Sequence, residues 1–203
     1  MRLVVVLALV VVPAALASHP SRLIETKANL DADWASERIV GMEDVSRDHS
    51  IWRASVRIVD RCGGRNRSYR VVAGFQRLGE ARAEQVDGRG AKEVLGVVYS
   101  VSAGDGVARL VRLVSTPGRC PALRTLFDYV AAKSDRAGPG FDLVQFTVEV
   151  VELDARYPGR ELRLTELFQT PPMLSSVHRE KLYRYVRPRD TYLLYETNIH
   201  RVP

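Results

Sequence analysis

The sequence predicts an α+β fold, mainly antiparallel sheet, in which a meander and a hairpin are packed by two or three helices. Runs rich in valine, isoleucine and tyrosine are separated by glycine-bearing turns, as in antiparallel sheets. A run that begins at Pro121 has apolar residues at helical spacing. Strands do not alternate with crossover helices, so the sequence disfavours a parallel sheet.

Seven segments are predicted strands because β-branched and aromatic residues alternate with polar ones between turn signals. The first four follow one another with short connections and predict a meander: Ile51–Val59, Tyr69–Leu78, Glu93–Ala103 and Val107–Ser115. The other three predict a hairpin and a closing strand: Asp142–Leu153, Glu161–Phe168 and Thr191–Thr197.

Three segments are predicted helices: Pro20–Ile39, Pro121–Asp135 and Met173–Val186. The middle one has the clearest pattern, with Leu123, Leu126, Phe127, Val130 and Ala131 at positions i, i+3, i+4, i+7 and i+8. Proline in its first turn and glycines beyond its end are typical of helix boundaries. A sub-domain boundary is predicted near residues 116–120.

The first residues predict a cleaved leader. A basic residue precedes the apolar run Leu3–Leu16, and Ala15 and Ala17 have the spacing that signal peptidase reads. The alternative is a membrane anchor, but this run is shorter than the roughly 18 to 20 residues that span a bilayer. We therefore expect residues 1–17 to be a signal peptide and residues 18–203 to form a secreted, extracellular domain without a membrane span.

Two further features are typical of secreted proteins. Cys62 and Cys120 are the two cysteines of the chain, and a disulfide between them would contribute roughly 4 kcal/mol by closing a long loop. Free thiols and an intermolecular pair are the alternatives. Asn66 begins the sequon Asn66-Arg67-Ser68 just after a Gly-Gly turn, which predicts a glycan near a hairpin tip unless the sequon is unused.

The chain carries a formal net charge of +6, and its densest basic cluster surrounds the sequon. Period-2 alternation puts Arg53 and Arg57 on one face of a strand and apolar residues on the other. The cluster is either the solvated face of that strand or a binding face for a glycosaminoglycan. It consists of Arg53, Arg57, Arg61, Arg65, Arg67 and Arg70.

The sequence contains no familiar catalytic motif. Signatures for acyl transfer, zinc hydrolysis and nucleotide or dinucleotide binding are missing, and the four histidines are scattered without zinc spacing. No zinc-finger, RNP or helix-turn-helix signature predicts nucleic-acid binding. We therefore expect no catalytic residues, metal or cofactor and a protein that is not an enzyme.

The segment Val71-Val72-Ala73-Gly74 resembles the inhibitory hairpin of the cystatins, in which a helix feeds an antiparallel sheet. Arg70 stands where that family has a glutamine. The resemblance implies a cystatin-like architecture and inhibition of a protease through these four residues.

Together these patterns predict a secreted binding protein that acts on an extracellular protein partner, including an immune-modulating or host-directed factor. The alternatives are a secreted protease inhibitor that uses Val71–Gly74 and a glycosaminoglycan-binding protein that uses the arginine cluster.

Overall fold

The computed structural model describes residues 19–31, 36–46, 52–62, 64–75, 77–86, 91–100, 107–116, 122–132, 142–152, 159–170 and 175–202. Within these ranges all regular structure is β, and the twelve strands form three four-stranded sheets. Sheet I contains β1 (His19–Ala28), β2 (Glu37–Val45), β3 (Trp52–Cys62) and β4 (Arg65–Phe75). Sheet II contains β5 (Arg77–Glu84), β6 (Glu93–Tyr99), β7 (Val107–Ser115) and β8 (Arg124–Ala132). Sheet III contains β9 (Asp142–Val151), β10 (Glu161–Gln169), β11 (Ser176–Val186) and β12 (Thr191–Val202).

Each sheet is a simple meander, since strands that follow one another along the chain are neighbours in the sheet. Every strand pair in the described ranges is antiparallel. The fold therefore consists of three consecutive units with the same strand order.

Sheet II is the middle layer of the molecule. Along β6, Val94 and Val98 belong to the apolar cluster shared with sheet I, whereas Leu95 and Val97 belong to the cluster shared with sheet III. Successive side chains of a strand point to opposite faces, so β6 is buried on both sides. This explains why β6 is a continuous apolar run and not an alternating one.

Two glycines allow sheets I and II to approach closely. A Cβ atom at Gly41 would lie 2.8 Å from the Cβ of Ala81, and one at Gly96 would lie 2.9 Å from a methyl carbon of Val72. Real Cβ atoms essentially never come this close to another heavy atom. A larger residue at either position would therefore push the two layers apart.

A buried glutamate begins the second strand of every sheet. The N–H of Leu30 donates to Glu37 Oε2 at 2.6 Å in sheet I, and the N–H of Val86 donates to Glu93 Oε2 at 2.9 Å in sheet II. Glu161 holds the same position in sheet III and lies 3.4 Å from the Nε of Arg184. The first two glutamates each satisfy a backbone donor of the loop that leads into their strand.

The predicted α+β class is wrong, because the described residues of all three predicted helices lie in strands or their connections. In the segment that begins at Pro121 the cause is a β-bulge. Leu113 pairs with Phe127 and Val114 pairs with Thr125, which leaves Leu126 as the extra residue. A bulge puts two successive side chains on one face, so Leu126 and Phe127 are both buried and the alternation imitates a helical period.

The other two helix predictions fail for related reasons. In β11 the buried residues Val177, Arg179, Leu182 and Tyr185 are two or three positions apart, a spacing close to a helical one. The segment Pro20–Ile39 contains β1, the start of β2 and the connection between them, in which Leu30 is a core residue. No helix of the described part packs on a sheet, so the predicted cystatin-like architecture is also wrong.

The strand predictions were closer. Val107–Ser115 is confirmed in both bounds, and six of the seven predicted strands each overlap one observed strand. Tyr69–Leu78 is the exception, because it joins the end of β4 to the start of β5. The predicted boundary at residues 116–120 falls between β7 and β8, which are paired strands of one sheet. Among the described residues no helix has the length and apolarity needed to cross a membrane.

Candidate functional site

The side of sheet I that faces away from sheet II carries a concentrated basic surface on β3 and β4. Arg57 lies directly opposite Arg70 in the strand register. Arg53 lies four positions before Arg57 in β3, so both are on the same face of the strand. On the other side of β3, Arg53 lies opposite Asp44 of β2. We refer to this surface as the outer face of sheet I.

Two bulges in β4 shape this surface. Val56 pairs with Val72 and Arg57 with Arg70, so Val71 is an extra residue; Gly74 is a second one, between Ala73 and Phe75. Gly74 has a φ of 103°, a backbone conformation that favours glycine. As a result Val71 and Val72 are both buried in the core, while Ala73 and Gly74 remain at the surface.

The bulged segment and the arginines enclose a cleft of about 410 Å³. Arg53, Arg70 and Gly74 are exposed at its margin, whereas Arg57 is half-buried. We call it the arginine cleft; its lining residues are Asp44, Arg53, Ala54, Ser55, Arg57, Arg70, Ala73 and Gly74.

The charges of the arginine cleft are not balanced from within the described protein. Three arginines face one aspartate, and none of these arginines has a carboxylate within ion-pair distance among the described residues. Arg57 Nε is buried and has no hydrogen-bond acceptor there. Like charges directly opposite each other across two strands destabilise a sheet, so Arg57 and Arg70 are an unfavourable pair within the described structure.

The outer face of sheet III provides a contrast within the same molecule. Arg163 Nε lies 3.3 Å from Glu180, Arg163 Nη1 lies 3.7 Å from Glu149, and Arg184 Nε lies 3.4 Å from Glu161. Arginines on that face therefore have carboxylate partners. The excess positive charge is a specific property of the arginine cleft and not of every sheet surface.

The structure divides the predicted arginine cluster between two faces. Arg61 continues the row of Arg53 and Arg57 along β3, outside the cleft. Arg67 is opposite Asp60 and Arg65 is opposite Cys62, so both belong to the other face of the β3–β4 pair. Asn66 is exposed and lies opposite Arg61, on the outer face of sheet I.

Cys62 ends β3, is buried and is disulfide-bonded. Cys120 lies outside the described residues, so the predicted pairing stays a prediction. The expected signal peptide, residues 1–17, lies outside them as well.

A second polar cluster lies between sheets II and III. Tyr129 Oη donates to Glu166 Oε1 at 2.6 Å, and Arg179 Nε donates to Glu166 Oε2 at 2.6 Å. Lys181 Nζ donates to Tyr129 Oη at 2.5 Å and also lies 4.7 Å from the centre of the Tyr129 ring. Glu166 is fully buried, so these donors neutralise a carboxylate inside the protein.

Burial is the main cause of raised tyrosine pKa values around Glu166. It raises the pKa of Tyr129 strongly, and the hydrogen bond to Glu166 and the negative charge of that carboxylate add to the effect. Burial and the same charge raise the pKa of Tyr183 to about 12. A protonated Tyr129 is a donor to Glu166 and a poor general base, so this cluster is suited to joining two layers and not to proton transfer near neutral pH.

In the part of the chain that the structure describes, no three His, Cys, Asp or Glu side chains lie close enough together to hold a metal ion. Comparison with known proteins gives no further guide. No protein-family model, no curated protein and no solved structure matches this chain.

Sequence reasoning found the arginines of the cleft but missed Asp44 and Ser55. Asp44 was missed because no strand was predicted before Ile51: the predicted helix Pro20–Ile39 covers the start of β2 and the rest of β2 was left unassigned, which hid its pairing with β3. Ser55 lies between Arg53 and Arg57 in the same period-2 row, so the alternation that predicted their face could also have found Ser55. The Glu166 cluster left no comparable signal, since its members come from three separate strands.

Proposed function

We propose that this chain is a secreted, non-enzymatic binding protein whose ligand is a sulfated polyanion of the glycosaminoglycan class, held at the arginine cleft. The observation that carries this proposal is the Arg57–Arg70 pair, two cations directly opposite each other without an anionic partner in the described structure. The predicted leader supports the choice of ligand, because sulfated glycans are extracellular polyanions.

The geometry suits an anion that offers several oxygens. Guanidinium groups bind sulfate and carboxylate through paired N–H donors in a fixed plane, and Arg57 Nε is a buried donor without an acceptor in the described residues. Ser55 adds a hydroxyl at the cleft. Asp44 limits how far an anion extends towards β2, because a second negative charge there is repulsive.

The polyanion accounts for this surface better than an added strand from a protein partner does. β4 is the edge strand of sheet I, but its bulges at Val71 and Gly74 interrupt the row of groups that a further strand would pair with. A protease-inhibiting hairpin at Val71–Gly74 would present only Ala73 and Gly74, since both valines are buried.

The test is equilibrium binding of the secreted protein to heparin and to chemically desulfated heparin over a range of salt concentrations. We expect Arg57→Ala and Arg70→Ala each to weaken heparin binding on the order of tenfold, because each removes a charge-assisted contact. Wild-type binding should also weaken as salt rises and as sulfates are removed.

Two matched variants separate the cleft from general basicity. Arg38→Ala removes an arginine of the same outer face that is bound to Glu25 at 2.8 Å, and Arg163→Ala removes one from sheet III. Both should bind heparin nearly as the wild type does. Equal losses in all four variants, or no heparin binding by the wild type at physiological salt, would overturn the proposal.

A further inference from the structure

The last strand of the molecule is exposed on both of its faces. β12 is an edge strand, paired only with β11 among the described strands. From Leu193 to Val202 its side chains are almost all exposed, and five of them are large and apolar. These are Leu193, Leu194, Tyr195, Ile199 and Val202, with 37% to 54% of their surface in contact with solvent.

This strand is less protected than the edge strand β5, since Glu196 is its one carboxylate and Arg201 its one arginine in twelve residues. Native edge strands are commonly protected by charged side chains or proline. The edge strand β5 follows this rule with Arg77, Glu80, Arg82 and Glu84 in eight residues. β12 is longer, has neither lysine nor proline, and concentrates more exposed apolar surface than any other described strand.

We propose that β12 pairs with β12 of a second copy of this chain in antiparallel fashion, so that two sheets III join into one eight-stranded sheet. This interface is independent of the arginine cleft, which lies on the outer face of sheet I. Pairing would satisfy the free backbone groups of the edge and cover Ile199.

The order of the charged and basic residues along β12 favours antiparallel pairing between two copies of this strand. Glu196 lies on one side of Asn198, whereas His200 and Arg201 lie on the other. A two-fold axis near Asn198 reverses the second strand, so Glu196 of each copy lies opposite His200 of the other, on the same face of the joined sheet. A parallel arrangement would instead bring like charges together.

The bulge at Tyr195 defines the segment that pairs. Leu182 is opposite Glu196 and Tyr183 is opposite Leu194, so Tyr195 is an extra residue in β12. The regular part of the edge therefore begins at Glu196, and a two-fold axis near Asn198 pairs Glu196–His200 of one copy with the same segment of the other. Ile199 is the large exposed apolar residue of this segment. We expect substitutions at Ile199 to have the largest effect on dimer formation.

The test is sedimentation equilibrium of the full secreted protein over a wide concentration range, at a salt concentration high enough to strip bound polyanion. The mass should approach twice that of one chain as concentration rises. Ile199→Lys should weaken dimer formation tenfold or more, because it buries an unpaired charge next to the two-fold axis. Leu23→Lys, on an equally apolar and 58% exposed position of β1, is the matched control and should dimerise as the wild type does.

Circular dichroism of both lysine variants establishes that they fold. A wild type that stays monomeric at every concentration would overturn the proposal, as would an equal loss of dimer in Leu23→Lys or a mass that grows without limit. Heparin binding of Ile199→Lys at physiological salt should remain measurable, so this test and that of the arginine cleft fail independently.

Discussion

Buried glutamates show how single residues fix the backbone of this fold. The carboxylates of Glu37 and Glu93 each accept a backbone N–H from the residue seven positions earlier, two residues after the preceding strand ends. A buried N–H without an acceptor is costly, so the loop between the first and second strand of a sheet depends on this side chain.

We expect Glu93→Ala to lower the free energy of unfolding by roughly 1–3 kcal/mol, because it leaves the N–H of Val86 without its acceptor. Glu93→Gln retains an oxygen at the same position and should cost less. Urea denaturation followed by circular dichroism measures both. Glu152→Ala, at an exposed position after β9, is the control and should change stability little. Equal stability of Glu93→Ala and wild type would show that the contact contributes nothing.

At the scale of elements, the β3–β4 pair combines three properties on one outer face. It carries the arginine cleft, the exposed Arg61 and the sequon asparagine opposite Arg61. Because the register alternates sides, Asn66 and Arg70 lie on the same face of β4. A glycan at Asn66 would therefore stand beside the proposed polyanion site.

We expect Asn66→Gln, which prevents glycosylation, to raise the affinity for heparin several-fold at physiological salt, because it removes a bulky neighbour of the arginine row. The comparison is between Asn66→Gln and wild-type protein from the same secretory host, with mass spectrometry to establish glycan occupancy. Ser68→Ala, which destroys the same sequon by another residue, should have the same effect. An occupied sequon with unchanged heparin affinity in both variants would contradict this expectation.

At the scale of the whole molecule, three sheets are stacked with the same orientation. Glu37 lies on the face of sheet I that meets sheet II, and Glu93 shares the β6 face of Leu95, which meets sheet III. Glu161 alternates with the inward-facing Leu162, so it lies on the outer face of sheet III. The outer faces of both end sheets carry charged rows, with Arg53 and Arg57 on sheet I and Arg163 and Arg184 on sheet III, as in arrays whose terminal units face water.

Tyr129 and Tyr183, at the interface between sheets II and III, make the free energy of unfolding depend on pH in the alkaline range. The unfolded chain releases tyrosine protons near pH 10, but Tyr183 in the folded protein retains its proton to about pH 12, and the pKa of Tyr129 is raised as well. Between these values the unfolded state binds fewer protons, so the free energy of unfolding falls as pH rises. Below the unfolded pKa the stabilising contribution is fully present.

We expect the urea midpoint of the wild type to fall between about pH 9 and about pH 11.5, and to fall less in Tyr183→Phe, which removes one of the two groups. An ultraviolet titration of tyrosinate in the folded protein should lose one late-titrating group in that variant. Parallel falls in both proteins would show that other groups cause the alkaline loss.

Part of the fold could be predicted from the sequence because strand alternation is a local property. The strand Val107–Ser115 and the alternation of Arg53 and Arg57 with a buried face follow from period 2 alone. The continuous apolar run of β6 shows a buried strand, but not which layers cover it. The arginines of the candidate site were visible for the same local reason.

Bulges limited this prediction, because a bulge depends on the neighbouring strand. The extra residue Leu126 gave the buried residues of β8 a helical spacing. The bulge at Val71 places Val71 and Val72 in the core, so half of the segment Val71–Gly74, which was predicted to contact a partner, is buried.

The sequence by itself determined the runs that form strands, the basic excess and the residues available to the cleft, since each depends on residue type and local spacing. Only the tertiary structure decided that all of the described elements are strands, that Arg57 lies opposite Arg70 without an ion-pair partner in the described residues, and that β12 is exposed. These features arise from strand register, from bulges and from the stacking of distant segments, and none of these can be read from residue type and local spacing.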